Sequence, residues 1–194
     1  MSQYNVAIVG ATGLVGETLL SLLEDREFPV SSLIPIASER SQNKHVQFKG
    51  QNIDIQVLND FNFAGVDFAF FSAGALVSEQ FAPIAAKAGA IVIDNTSQFR
   101  YQDHIPLVIP EVNPDALINF SSTNIIANPN CSTIQMLVAL QPIHQTAKIT
   151  KINVSTYQSI SGAGRKTLDI FNQQLISDEY PNSDDPMLFA HNVI

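Results

Sequence analysis

The sequence predicts an α/β fold, a mainly parallel sheet with helices on both faces. Three observations carry that expectation. Short apolar runs alternate with stretches of helical periodicity through the first half of the 194-residue chain. A glycine-rich turn joins the first apolar run to the first helical stretch. Hydrophobic residues make up 45% and charged residues 14%, enough apolar material to bury a core.

The elements follow in order. Residues 6–9 read as a buried strand, and 14–23 as a helix with Leu14, Leu19, Leu22 and Leu23 apolar. A second short strand falls at 33–37, and the alternation over 53–58 reads as a third. The DFAFF run at 67–71 is a further buried strand, ending at Ser72-Ala73-Gly74. Residues 78–87 are helical, Gly89 stands where a helix stops, and 90–94 form the next strand.

Beyond Asn95 the pattern loosens, broken by Pro106, Pro110 and Pro114. A short strand is expected at 124–127, then a turn at 128–130. Helical periodicity runs from 132 to 140, and Pro142 should stop it. Residues 151–158 alternate like a strand, and 163–176 form an amphipathic helix on Leu168, Phe171, Leu175 and Ile176. Residues 177–186 are polar and turn-rich, and the stretch from 189 to 194 is partly apolar, like the start of an element. The domains expected are 1–127, binding a nucleotide, and 128–194, opening a second domain.

Charge and cysteine content exclude several classes. Eighteen acidic against ten basic residues, net charge -8, argue against a nucleic-acid groove. One cysteine makes no intramolecular disulfide, which fits a reducing compartment. No basic segment precedes an apolar run at the N-terminus, and no stretch nears the ~18 to 20 apolar residues of a membrane span. The expected setting is cytoplasmic, with no membrane and no nucleic-acid partner.

Gly10-Ala11-Thr12-Gly13-Leu14-Val15-Gly16 follows a strand and opens a helix, the context of a Rossmann-like dinucleotide site. Gly10 permits the tight turn, Gly13 a close approach of the pyrophosphate, and Gly16 close helix packing. The helix N-terminus offers free N–H groups to phosphate. The spacing is G-x-x-G-x-x-G, one residue longer in its first half than the usual dinucleotide pattern. The second strand ends Ala37-Ser38-Glu39-Arg40-Ser41. An acid there suits the ribose 2′-OH of NAD, whereas a guanidinium flanked by Ser38 and Ser41 suits the 2′-phosphate of NADP. NADP is favoured; a solvated Arg40 is the plain alternative. Ser72 either lines the cofactor cleft or belongs to an ordinary strand-to-helix turn.

Asn130-Cys131-Ser132 sets the lone thiol where a turn meets a helix. There the positive end of the helix dipole favours thiolate, and backbone N–H groups can hold an oxyanion. Such a thiol can attack an aldehyde, give up a hydride from the thiohemiacetal, and be released from the thioester by phosphate. Alone, a single cysteine is better read as a small buried hydrophobe; the thiol, the turn and the nucleotide site together reverse that preference.

The segments GATGLVG, ASERS, IDNTSQFR, NPNCST and YQSISGAG, in this order, resemble the aspartate-semialdehyde dehydrogenase family over essentially the whole chain. The resemblance implies Cys131 as acyl-thioester nucleophile, with Gln158 contacting substrate and orienting the thiol chemistry. It implies Arg100 and Asn130 at the substrate and its phosphate. Thr12, Gly13, Leu14, Val15, Arg40 and Ser41 would hold the cofactor, with Ser161 and Gly162 near its nicotinamide. The implied reaction reduces L-aspartyl 4-phosphate to the semialdehyde with NADP, in the synthesis of lysine, threonine, methionine and diaminopimelate. N-acetyl-glutamyl-phosphate reductases are related, but carry glycine before the cysteine and an aromatic after it, where this chain has Asn130 and Ser132. A non-catalytic NADP-binding remnant is the rival from another class.

The resemblance also implies a histidine base, an arginine and a lysine well downstream of the cysteine. None of His45, His104, His144 and His191 lies in a matching context. His45 and His104 read as loop residues, and His144 as the end of a helix. The expectation is a truncated chain with its general base beyond residue 194, little activity alone, exposed apolar surface over 128–194, and a homodimer only in a longer form. No metal site is expected.

Overall fold

The computed structural model describes residues 3–176 and 189–190. Two compact units divide the chain, Met1–Ile152 and Asn153–Ile194.

In the first unit, β1 (Tyr4–Val9) pairs in parallel with β2 (Val30–Ala37) on one side. On its other side it pairs in parallel with β6 (Phe68–Phe71). Beyond β6 come β7 (Ile91–Asp94) and β8 (Ile125–Ala127), and beyond β2 comes β5 (Gln56–Val57). The order β5-β2-β1-β6-β7-β8 is parallel throughout, so the chain winds outwards in both directions from β1.

Both faces of β1 are buried, as a parallel sheet requires. Val6 and Ile8 join the cluster of Leu20 and Leu23 from α1 (Leu14–Asp25). Ala7 and Val9 join that of Ala82, Ala85 and Ala86 from α2 (Ala75–Lys87). Helices thus cover opposite faces, and the expected doubly covered sheet is the one observed.

The region 45–58 is a correction. It forms β3 (His45–Phe48) and β4 (Gln51–Asp54), an antiparallel ribbon outside the main sheet, before β5 enters that sheet. Alternation runs through 53–58 because Ile53 and Ile55 face the same apolar cluster across the break. Lys49 and Gly50, at φ +49° and +74°, make the turn. Lys-Gly is a weak hairpin signal beside Asn-Gly, so His45 lies in a strand and not in a loop.

Pro142 is a second correction: α3 runs from Cys131 to Ala147 straight through it. The ring sits on an exposed part of the helix. Beyond Pro142, Thr146 Oγ1 donates to its carbonyl at 3.0 Å, and Ile149 N–H donates to His144 Nδ1 at 3.1 Å. These bonds close the last turn. Pro114 opens a 3-10 helix, Pro114–Ser122, that the sequence did not suggest.

Residues 151–158 carry no strand. A strand needs a ladder partner, and no described residue pairs with this segment. In the second unit, a 3-10 turn (Ile160–Ala163) precedes α4 (Arg165–Ile176), and Gln174 Oε1 accepts the N–H groups of Phe189 and Ala190. The expectations for 177–186 and for residues 191–194, His191 included, lie outside the described residues. Neither α3 nor α4 contains a buried residue, and Ile143, Val154, Tyr157 and Ile176 are exposed. The expected apolar surface beyond residue 128 is present on the described part of it. No helix among the described residues is long and apolar enough to cross a membrane.

Candidate active site

Because the six strands are parallel, the loops after β1, β2, β6, β7 and β8 all leave one edge of the sheet, where such folds bind ligands. Nearly every predicted residue of the first unit stands in one of those loops or in the helix that follows.

After β1 the chain turns at Gly10, whose φ of +96° favours glycine. Its N–H and that of Ala11 donate to the Ile36 carbonyl at the end of β2. A Cβ on Gly10 would stand 2.9 Å from Ser72 Oγ, so the turn also abuts the loop after β6. A Cβ on Gly16 would run into the Gly10 carbonyl and stand 2.8 Å from Ala11 Cα. That contact seats the first turn of α1 against the glycine loop. Gly13 is the N-cap and provides no side-chain cap. The N–H groups of Leu14 and Val15 at the helix start therefore face outwards with their dipole.

After β2, Glu39–Ser41 form a 3-10 turn. Ser41 is buried and its Oγ lies 3.4 Å from Thr12 Oγ1, tying this turn to the glycine loop. Ser38 and Arg40 are exposed. The acid of this turn is engaged elsewhere: Asn59 Nδ2 donates to Glu39 Oε1 at 3.3 Å.

β7 ends in Asp94, fully buried, whose carboxylate accepts Ser78 Oγ at 2.7 Å and Thr96 Oγ1 at 2.9 Å. Asn128 N–H donates to the Asp94 carbonyl at 2.8 Å. Arg100 is half-buried and serves as a clamp. Its Nε donates to the Asn128 carbonyl at 2.9 Å and its Nη2 to the Asn95 carbonyl at 3.2 Å. The loop after β7 is thereby joined to the turn after β8. Arg100 keeps further N–H groups beyond these two.

That turn delivers Cys131 to the first position of α3, with an exposed thiol. Asn130 is the N-cap, and its Oδ1 accepts Ser132 N at 3.0 Å and Ser132 Oγ at 2.6 Å. The Ser132 N–H is thus occupied, which leaves those of Cys131 and Thr133 in the first turn for an oxyanion.

Gln158, Ser161 and Gly162 belong to the second unit. Gln158 is exposed, Ser161 N–H donates to Ser159 Oγ at 3.3 Å, and a Cβ on Gly162 would lie 3.8 Å from Gln158 Nε2. Asn59, Asp94, Asn95 and Asn128 escaped the sequence reading. An acid closing a buried strand such as IVID was the available signal, since a buried carboxylate must have partners.

Fold and glycine turn together define a Rossmann-like, NAD-binding type of α/β domain, here followed by an exposed thiol at a helix start. Comparison with known proteins narrows the class. The family model for the NAD binding domain of semialdehyde dehydrogenase matches residues 5–120, and that for its dimerisation domain matches 140–192. The chain belongs to the semialdehyde dehydrogenase family. It is 58% identical over 167 residues to aspartate-semialdehyde dehydrogenase 2 of Vibrio cholerae, covering 86% of this chain and 50% of that protein. The crystal structure of the Vibrio cholerae aspartate semialdehyde dehydrogenase II complexed with ASA superposes with TM-score 0.87 at 56% identity, over 90% of this chain and 52% of that one. The Candida albicans aspartate semialdehyde dehydrogenase with NADP gives TM-score 0.63 at 25% identity, over 76% and 48%. The chain spans about half the length of the curated relatives it matches.

Proposed function

We propose that this chain supplies the cofactor domain and the nucleophile of an aspartate-semialdehyde dehydrogenase, interconverting L-aspartate 4-semialdehyde plus phosphate with L-aspartyl 4-phosphate. One observation carries the reading: Cys131 opens α3 directly after β8, at the same strand-end edge as the glycine loop after β1. The names of the matching relatives support the substrate. Asn130 and Ser132 around the thiol speak against the N-acetyl-glutamyl-phosphate reductase alternative. The functional boundary proposed lies between 127 and 128, where β8 gives way to the turn that carries the thiol.

The residues present fit a dinucleotide phosphate. The start of α1 lacks a side-chain cap, and Gly13 leaves its N–H groups uncovered. Gly10, Thr12, Gly13, Leu14, Val15 and Gly16 would hold the pyrophosphate, and Ser38, Arg40 and Ser41 the 2′-phosphate. Ser72, Ser161 and Gly162 are further proposed contacts. The reading is NADP over NAD, because Glu39 is bonded to Asn59 while Arg40, equally exposed, has no partner among the described residues.

In the oxidative direction, Cys131 Sγ adds to the aldehyde carbon, giving a thiohemiacetal on the protein. NADP, when bound, supplies the hydride acceptor. Cys131 then carries an acyl thioester, and inorganic phosphate attacks its carbonyl and expels the thiolate. The free N–H groups at the start of α3 hold the oxyanion of each addition. Arg100 presents its remaining N–H groups to the anionic substrate, Asn130 fixes the turn, and Gln158 orients the acyl group. The match to the dimerisation domain supports a homodimer. The single thiol fits the cytoplasm. By itself the 194-residue chain is expected to turn over little or no substrate, because no histidine among the described residues stands in the context of the implied general base.

Equilibrium titration needs no turnover and tests the cofactor assignment. NADP should bind more tightly than NAD, and Arg40→Ala should weaken NADP about tenfold with little effect on NAD. Equal losses for both would overturn it.

A further inference from the structure

We propose that Asn59 is a specificity-determining residue for the cofactor, acting by holding the Glu39 carboxylate away from the 2′-phosphate position. This rests on the NADP reading above. The loop after β2 carries two opposed charges in adjacent positions, Glu39 and Arg40. A carboxylate at the end of the second strand is the group that an NAD site uses to accept the ribose 2′-OH. Left free, it also repels a 2′-phosphate. The structure treats the two charges differently. Glu39 Oε1 accepts Asn59 Nδ2 at 3.3 Å, whereas among the described residues the Arg40 guanidinium has no hydrogen-bond or ion-pair partner.

The topology explains why Asn59 is there. β5 pairs with only the last two residues of β2, Ile36 with Gln56 and Ala37 with Val57. The 3-10 turn Leu58–Asp60 follows at once, pinned by buried Leu58. The short edge strand therefore ends level with the end of β2 and brings the Asn59 amide beside the Glu39 turn. On the other side of the turn, Ser41 is held by Thr12 of the glycine loop. Glu39 is thus drawn towards β5, and Ser41 and the glycine loop stay together.

The test is titration of the purified chain with NADP and with NAD, for wild type, Asn59→Ala, Glu39→Gln and the double variant. Wild type should prefer NADP. Asn59→Ala, at an exposed position, should lower the NADP-to-NAD affinity ratio about fivefold, the size of one screened charge repulsion. Adding Glu39→Gln should restore the ratio, because an amide repels no phosphate. Glu39→Gln alone should leave the preference at least as strong. An unchanged ratio in Asn59→Ala overturns the inference and leaves the NADP reading standing. A loss that persists in the double variant overturns it equally. Equal binding of both cofactors by wild type overturns the NADP reading, and this inference with it.

Discussion

Replacing Gly16 by alanine separates the architecture of the glycine loop from its chemistry. The added Cβ would run into the Gly10 carbonyl and stand 2.8 Å from Ala11 Cα and 3.0 Å from Ala11 C. All three are backbone atoms in the turn directly after β1, whose last four residues are fully buried, so none can swing aside as a side-chain tip could. Forcing extra atoms into packed surroundings costs about 1 to 3 kcal/mol, and close contacts that are all backbone place this site in the upper part of that range, about 2 to 3 kcal/mol. Alanine gains back up to about 1 kcal/mol through helix propensity. The net loss expected is about 1 to 2 kcal/mol, read as a lower urea midpoint at unchanged slope and as a melting temperature lower by about 3 to 6 °C. Gly13→Ala is the control. Its Cβ would meet only the Gly10 carbonyl, at 3.3 Å, and its φ of -87° suits any residue. It should cost about 0.5 kcal/mol as an N-cap change and yet weaken NADP binding more than about tenfold, by covering the N–H groups of α1. A Gly16→Ala protein as stable as wild type would refute the packing argument. A Gly13→Ala protein that binds NADP normally would refute the phosphate assignment.

Two further outcomes follow from the hydrogen bonds. Asp94→Ala deprives two buried hydroxyls, those of Ser78 and Thr96, of their acceptor, and should lower stability by about 2 to 4 kcal/mol in urea unfolding. Asp94→Asn should recover part of that loss. Asn130→Ala removes the N-cap of α3 and should cost about 1 kcal/mol, with faster amide hydrogen exchange at Ser132. Unchanged exchange there would mean that the cap does not hold the helix start in solution.

Much of the fold was legible because it rests on local rules. Buried parallel strands are continuous apolar runs, so VAIV, DFAFF and IVID announced themselves. The glycine loop was legible because φ > 0 at Gly10 and the contact at Gly16 both demand glycine. The errors fell where a partner decides. Residues 151–158 alternate like a strand but lack a ladder. Residues 53–58 keep one alternation while passing from a ribbon into the sheet. Pro142 sits inside a helix whose last turn is closed by bonds from Thr146 and Ile149.

The candidate site divides in the same way. The sequence by itself determined the α/β class, the cofactor loop, the family resemblance and the placing of Cys131 at a helix start, because each depends on residues near one another along the chain. Only the tertiary structure decided that Arg100 clamps the turn before Cys131 across 28 positions, that Glu39 is tied to Asn59, and that Ser41 meets Thr12. Those contacts exist because parallel pairing stacks strand ends from distant parts of the chain along one edge. No periodicity in a sequence encodes which side chains then face each other.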